Sequence, residues 1–333
     1  MKIAVFGPAR RVGIAHDGSI IDANAAYARY LADTTDTARP SARADSEVPA
    51  GLNAFITEGK PALDGARAAV EHLSGDGVGV DGEQLRFALD EIMLHAPIEG
   101  ASRIFAALAN FADHMQAAAD NTDDADAQAT LARLQEGRPK YFIKDARCTS
   151  IDGDDVRYPA RTEHLDYEAE VAAIIGPRGR DIPADGFRAH IWGYTLANDW
   201  SVRDNVSFGP DFQYSKNFDT AAGLGPWIVI DDDIDPHDIP IETRVNGELR
   251  QNGNTASMIH DFGALGAHLS RDMTLYPGDM ILSGTPKGTA VDSSKRLDDG
   301  TFSDDSRFLK PGDRVEVTST VLGSLRNDVT KAD

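Results

Sequence analysis

Two glutamates two residues apart in an otherwise apolar run, Glu168 and Glu170 in DYEAEVAAIIG, are the first residues of this sequence to suggest chemistry. In an extended strand residues i and i+2 share a face, so the two carboxylates project together, with Ala172 and Ile174 continuing that face. Like charges side by side in apolar surroundings repel, and one protonates unless a cation bridges them. Taken alone, the pair would also suit an edge strand with solvated glutamates. Asp199 adds a third carboxylate at or near the end of the β-like run GYTLAND. Three carboxylates with no Cys/His set describe an oxygen-ligand site for one hard cation, Mg²⁺ or Mn²⁺, between which composition does not choose. Arg203 in DWSVRD and Lys216 in YSKNFD place positive charge in the same stretch. Buried charges persist only when paired or coordinated, so the stretch reads as a divalent metal with its anionic ligand. Arg203 could instead form an ion pair with Asp204 or Asp199.

These residues need elements to position them. KIAVF (2–6) and VGIA (12–15) are short β-type runs, and the HDG turn leads into SIID, so the chain opens as a hairpin. Residues 33–49 are polar and turn-rich and are expected to form a surface loop. Residues 62–73 repeat apolar side chains at helical spacing. RIFAAL is expected as a strand, NFADHMQAAA as the start of a helix carrying His114, and KYFIK (140–144) as a further β-type run. Asn246–Gly247 in ETRVNGELRQ marks a hairpin, residues 260–272 read as a helix, and two PGD turns each precede a strand. FGPARRVG lacks the spacing of a dinucleotide loop, SGTPKG lacks that of a phosphate loop, and no GxSxG elbow occurs.

The 333 residues suffice for a full core. Fifty-four acidic against 33 basic residues leave a net charge of −21, which argues against nucleic-acid and anionic-membrane partners. An anion site in such a chain must be locally basic, as Arg203 and Lys216 allow. With no apolar run of bilayer length and no signal-peptide pattern, a soluble cytoplasmic protein is expected. The single cysteine, Cys148, excludes an intrachain disulfide and reads as a small, partly buried side chain.

LDYEAEVAAIIG, GYTLANDWSVRD, KNFDTAAGLGPWIV, VNGELRQNGNTASMIHDF, LSRDMTLYPGDMILSGTPKG and FLKPGDRVEV together resemble the fumarylacetoacetate hydrolase family in order and spacing. The resemblance is strong over residues 139–328 and weaker back to IFAALANFADH. It implies a mixed α+β, predominantly β fold: a catalytic β-roll over residues 96–333, a smaller variable α/β domain over residues 1–95, and assembly as a homodimer or larger. Glu168, Glu170 and Asp199 match the family's metal carboxylates. Lys216 matches a lysine near the metal-bound oxygens, Arg203 and Thr285 match substrate-contacting positions, and His114 matches the histidine that activates water. The implied activity is metal-dependent C–C hydrolysis of an acylpyruvate-type 2-oxo acid through a metal-bound enolate. Isomerisation or decarboxylation of a 2-oxo or 2-hydroxydienoic diacid in aromatic catabolism is the alternative, and a silent metal-binding scaffold a lesser one.

Two departures stand out. Hydrolytic relatives pair the histidine with a glutamate, in several cases three residues later, where this chain has Ala117; Glu99, Glu136 and Asp113 are candidate replacements. Val206 stands where relatives often carry a glutamine. His164, close before the glutamate pair, is either an outer support of the metal site or exposed.

Overall fold

The strand of the glutamate pair, Ala169–Ile175, is buried along its whole length, as its run of small and β-branched side chains requires of a strand covered on both faces. Its alternate residues feed two cores. Ala172 and Ile174 join a cluster built on the N-terminal helices, while Val171, Ala173 and Ile175 join a second cluster beneath the helix Phe262–Ser270. The structure, a computed structural model, describes residues 1–75, 77–121, 128–129, 132–133, 137–204, 211–295, 297 and 301–331.

Ala169–Ile175 lies inside a mixed twelve-stranded sheet. On one side it pairs antiparallel with Ile191–Asp199, which pairs antiparallel with Ala222–Val229. On the other it pairs antiparallel with Met280–Leu282, which runs parallel to Ile104–Leu108, with Lys140–Lys144 at the edge. Beyond Ala222–Val229 the sheet continues without a break into the N-terminal strands Lys2–Phe6, Arg11–His16 and Ser19–Asp22, through the pair Lys2↔Val229. The helices Ala23–Thr34, Leu52–Glu58 and Lys60–His72 supply buried residues to the first core. A separate five-stranded sheet carries the Asn246–Gly247 hairpin. Both turn residues have positive φ, 52° and 84°, the two-residue turn whose twist suits a hairpin. The architecture is thus mixed and strand-dominated. No described helix is long and apolar enough to cross a membrane.

The expected loop at 33–49 is corrected in part: Pro40–Glu47 is a helix. Pro40 starts it, where a missing N–H costs nothing. Ala44 is its one buried residue, so the helix rests on the surface without an apolar stripe to announce it.

Candidate active site

Strand register assembles the three carboxylates. Ala169 faces Asn198 and Glu170 faces Ala197, so Asp199, the last residue of its strand, falls beside Glu168, whose carbonyl accepts from Asp199 N at 2.9 Å. One oxygen from each of Glu168, Glu170 and Asp199 lies within 4.8 Å of the others, and all three side chains are buried. Asn198 Oδ1 accepts from Glu168 N at 2.9 Å and fixes the backbone where the strand begins.

Three cations face this cluster. Lys216 ends the short helix Phe212–Lys216 and donates to Glu168 at 2.7 Å and Asp199 at 2.8 Å. Burial opposes its charge, but Asp199 and Glu168 outweigh that and raise its pKa, so it stays an ammonium. Lys144, fully buried, is ion-paired with the other Asp199 oxygen and donates to Lys216 O at 2.7 Å. Arg203 bonds Glu168 and, through Nε at 3.0 Å, Asp166. Among the described residues it is ion-paired with Asp166 and Glu168, in place of the alternative pairing with Asp204 or Asp199. Burial works against the Glu168 anion, yet Lys216, Arg203 and His114 hold it well below the usual carboxylate range.

Glu170 is different. Burial first, then Asp199 and Glu168, push its pKa well above the usual value. It accepts one bond, from Gly284 N at 2.9 Å, and no described side-chain cation is bonded to it. The buried carboxylates of Asp166, Glu168, Glu170 and Asp199 outnumber Lys144, Arg203 and Lys216 by one. A buried carboxyl left without a cation, among oxygen donors within 4.8 Å of one another, fits a divalent cation.

His114 lies in the first turn of the helix Ala112–Asp120. Asn110 ties this helix start to the site: its amide donates to His260 O and Ser283 O and accepts from His260 N, at 2.8 to 2.9 Å. His114 Nδ1 meets the Asp292 carboxylate at 2.8 Å, and its side chain is 16 % exposed. A carboxylate at Nδ1 fixes the proton there, leaving Nε2 with a lone pair. Asp292 is itself held by the N–H groups of Gly288 at 2.8 Å and Thr289 at 3.2 Å. Burial disfavours the imidazolium, but Asp292 and Glu168 outweigh it and raise the His114 pKa above its ordinary value.

Among the described residues the carboxylate partner is thus Asp292, and two of the expected candidates, Glu99 and Asp113, bond elsewhere. Glu99 binds Asn53 N, Asp113 accepts from its neighbour's N–H, and Glu136 and Val206 lie outside the described residues. Asp292 follows SGTPKG by a few residues, and sequence reasoning had no spacing rule that joins it to a histidine 178 positions earlier. Lys144 in KYFIK read only as a strand residue. Gln251 was missed as well. Its amide spends all four bonds on Ala169 N, Thr243 Oγ1, Thr285 Oγ1 and Pro286 O, stitching the glutamate strand to the SGTP loop. Thr285 is 4 % exposed, its hydroxyl donating to Ala169 O at 3.0 Å. His164 Nδ1 meets the Asp204 carboxylate, and its ring packs between Phe302 and Phe308, both ring centroids 4.8 Å away.

Residues 103–330 match the family profile described as the fumarylacetoacetate (FAA) hydrolase C-terminal domain. The chain belongs to this family. It is 33 % identical over 288 residues to oxaloacetate tautomerase fahd2, mitochondrial, of Xenopus laevis, covering 86 % of this chain and 80 % of the relative. A 2-hydroxyhepta-2,4-diene-1,7-dioate isomerase from Mycobacterium marinum superposes with a TM-score of 0.59 at 30 % identity, over 74 % of this chain and 81 % of that one. A maleylpyruvate hydrolase from Sphingobium sp. SYK-6 superposes with a TM-score of 0.68 at 25 % identity over the full length of both chains. A tautomerase, an isomerase and a hydrolase share this fold, so family membership alone does not fix the reaction.

Proposed function

We propose that this protein is a divalent-metal-dependent enzyme that moves a proton at the carbon beside the carbonyl of a small 2-oxo dicarboxylate, interconverting its keto and enol forms. The observation that carries this reading is a buried carboxylate cluster holding a fixed ammonium, Lys216, together with a histidine oriented by a carboxylate, His114 on Asp292. The relative named as an oxaloacetate tautomerase makes oxaloacetate the first substrate to test.

Glu168, Glu170 and Asp199 would hold the cation, which when bound would supply Lewis-acid polarisation of the 2-oxo acid oxygens. His114 Nε2, kept basic by Asp292 at Nδ1, takes a proton from C3. The electron pair moves onto the C2 oxygen, where the Lys216 ammonium stabilises the enolate. Solvent protonates that oxygen to complete the enol, and His114 returns its proton to solvent. Arg203 orients a substrate carboxylate by its planar fork. Thr285 holds the glutamate strand to the loop that carries the donor to Glu170.

The His114–Asp292 pair favours a second reading, attack of water on an acylpyruvate with C–C cleavage, since a carboxylate-oriented imidazole also suits water activation. To separate the two, metal-stripped protein is given oxaloacetate or an acylpyruvate with Mg²⁺ or Mn²⁺, and enol absorbance and products are followed. Faster keto–enol equilibration of oxaloacetate with the acylpyruvate left intact supports tautomerisation; release of pyruvate from the acylpyruvate supports hydrolysis. No metal-dependent change with either rejects both.

A further inference from the structure

Asp166 stands two residues before Glu168, fully buried, and belongs to neither the metal cluster nor the histidine pair. Its bonds nevertheless reach both sides of the site. Asp166 Oδ2 accepts from Arg203 Nε at 3.0 Å and from Val291 N at 3.1 Å; Oδ1 accepts from Ala290 N at 2.7 Å and Tyr167 N at 2.9 Å. Ala290 and Val291 directly precede Asp292, the residue that orients His114. One carboxylate therefore clamps the guanidinium on Glu168 and the peptide that delivers the base's partner. The two-residue strands Leu165–Asp166 and Ser201–Val202 pair antiparallel, which brings Arg203 to this carboxylate.

We propose that Asp166 is a positioning residue that sets Arg203 and the His114–Asp292 pair in one register, so that substrate orientation and base orientation depend on the same side chain. The proposal rests on the enolate reading for its consequences in turnover, but the clamp itself is a property of the chain. A buried acidic side chain could also act by charge alone, and the two modes predict different dependence on Asp292. Positioning works through the Ala290–Val291 peptide and needs Asp292 as relay; bare charge acts on His114 whether or not Asp292 is ionised. Asp166→Asn keeps the size and one acceptor oxygen but sets an amide where Arg203 and Val291 donate.

The test is the NMR titration of His114 in metal-free full-length protein, for Asp166→Asn, Asp292→Asn and the double variant, with kcat and KM for oxaloacetate measured on the Mg²⁺ forms of these, of Arg203→Gln and of Asp166→Asn combined with Arg203→Gln. The clamp predicts that Asp166→Asn lowers the His114 pKa in the wild-type background and changes it no further in Asp292→Asn. In turnover it predicts a rise in KM and a fall in kcat that are less than multiplicative with those of Arg203→Gln, the mark of residues acting as a unit. An equal pKa change in both backgrounds, no change in either, or multiplicative losses with Arg203→Gln would overturn it. If wild-type protein turns over no 2-oxo acid, the functional reading fails while the titration still decides the clamp. Asp166→Glu, which restores the charge with one added methylene, guards against a variant that fails to fold; partial recovery of kcat with the His114 pKa restored is expected, and recovery of neither would count against the clamp.

Discussion

At the scale of single residues, the site is a set of charges that are stable only in one another's company. Glu170 is the exposed nerve of this arrangement: it is buried beside two other carboxylates, with one backbone N–H for support. Glu170→Gln is therefore expected to leave the metal-free protein as stable as wild type or more so. It should abolish the stabilisation on adding Mg²⁺ or Mn²⁺, about 3 kcal/mol at a hundredfold excess over Kd for wild type, and with it the rise in Tm. Thermal melts with and without metal check both halves. Lys216→Met should do the reverse in the metal-free state, leaving Glu168 and Asp199 short of a partner and costing about 3–5 kcal/mol. On the proposed function, His114 carries the pH dependence. Its folded pKa is raised, with Asp292 the strongest contribution in that direction, and a base must be unprotonated, so activity should climb as pH rises through that raised pKa. Asp292→Asn removes the raising charge and leaves burial to dominate, so the acid limb should move to lower pH while kcat falls by about 10²-fold or more. An acid limb that stays in place would show that another group is the base.

At the scale of elements, the site depends on two backbone arrangements, one legible in the sequence and one not. The period-2 spacing of Glu168 and Glu170, and the position of Asp199 at the end of an apolar strand, locate the metal cluster because strand geometry is local and regular. The side-chain ties around those strands, Asn198 Oδ1 to Glu168 N and Gln251 Oε1 to Ala169 N, span long sequence separations and have no local signature. For the same reason Asp292 and Asp166 stayed hidden, since what places them is the 283–292 loop folding back over the glutamate strand. That loop turns at Gly284, whose φ of 81° lets its N–H reach Glu170 and whose missing Cβ would otherwise stand 3.0 Å from Asn110. Gly284→Ala should cost about 1–2 kcal/mol from the left-handed backbone alone. It should also weaken metal binding by displacing the Glu170 donor, as calorimetric titration with Mn²⁺ would show. The helix at 40–47 escaped notice because one buried alanine is too little for a periodic pattern.

At the scale of the molecule, the first strand is part of the sheet that carries the site, so the N-terminal third and the rest share one core. Deleting residues 1–95 would uncover the Ala222–Val229 edge and the apolar face above Ile174, and a lowered Tm with aggregation is expected. On the proposed function, the net charge of −21 acts over the whole surface against a dianionic substrate. As salt rises from about 10 to 150 mM the Debye length shortens from roughly 30 to 8 Å, so kcat/KM for oxaloacetate should increase until the local pull of Arg203 and Lys216 is screened as well. The central claim, that a metal-held 2-oxo dicarboxylate loses a proton to His114, meets its most direct test in hydrogen exchange at C3 of oxaloacetate in D₂O, followed by NMR with metal-stripped and Mg²⁺-loaded wild type and His114→Asn. The account predicts rapid deuterium incorporation by the loaded wild type alone, with loss of at least about 10²-fold in the variant. Exchange that is indifferent to both the metal and His114 would contradict it.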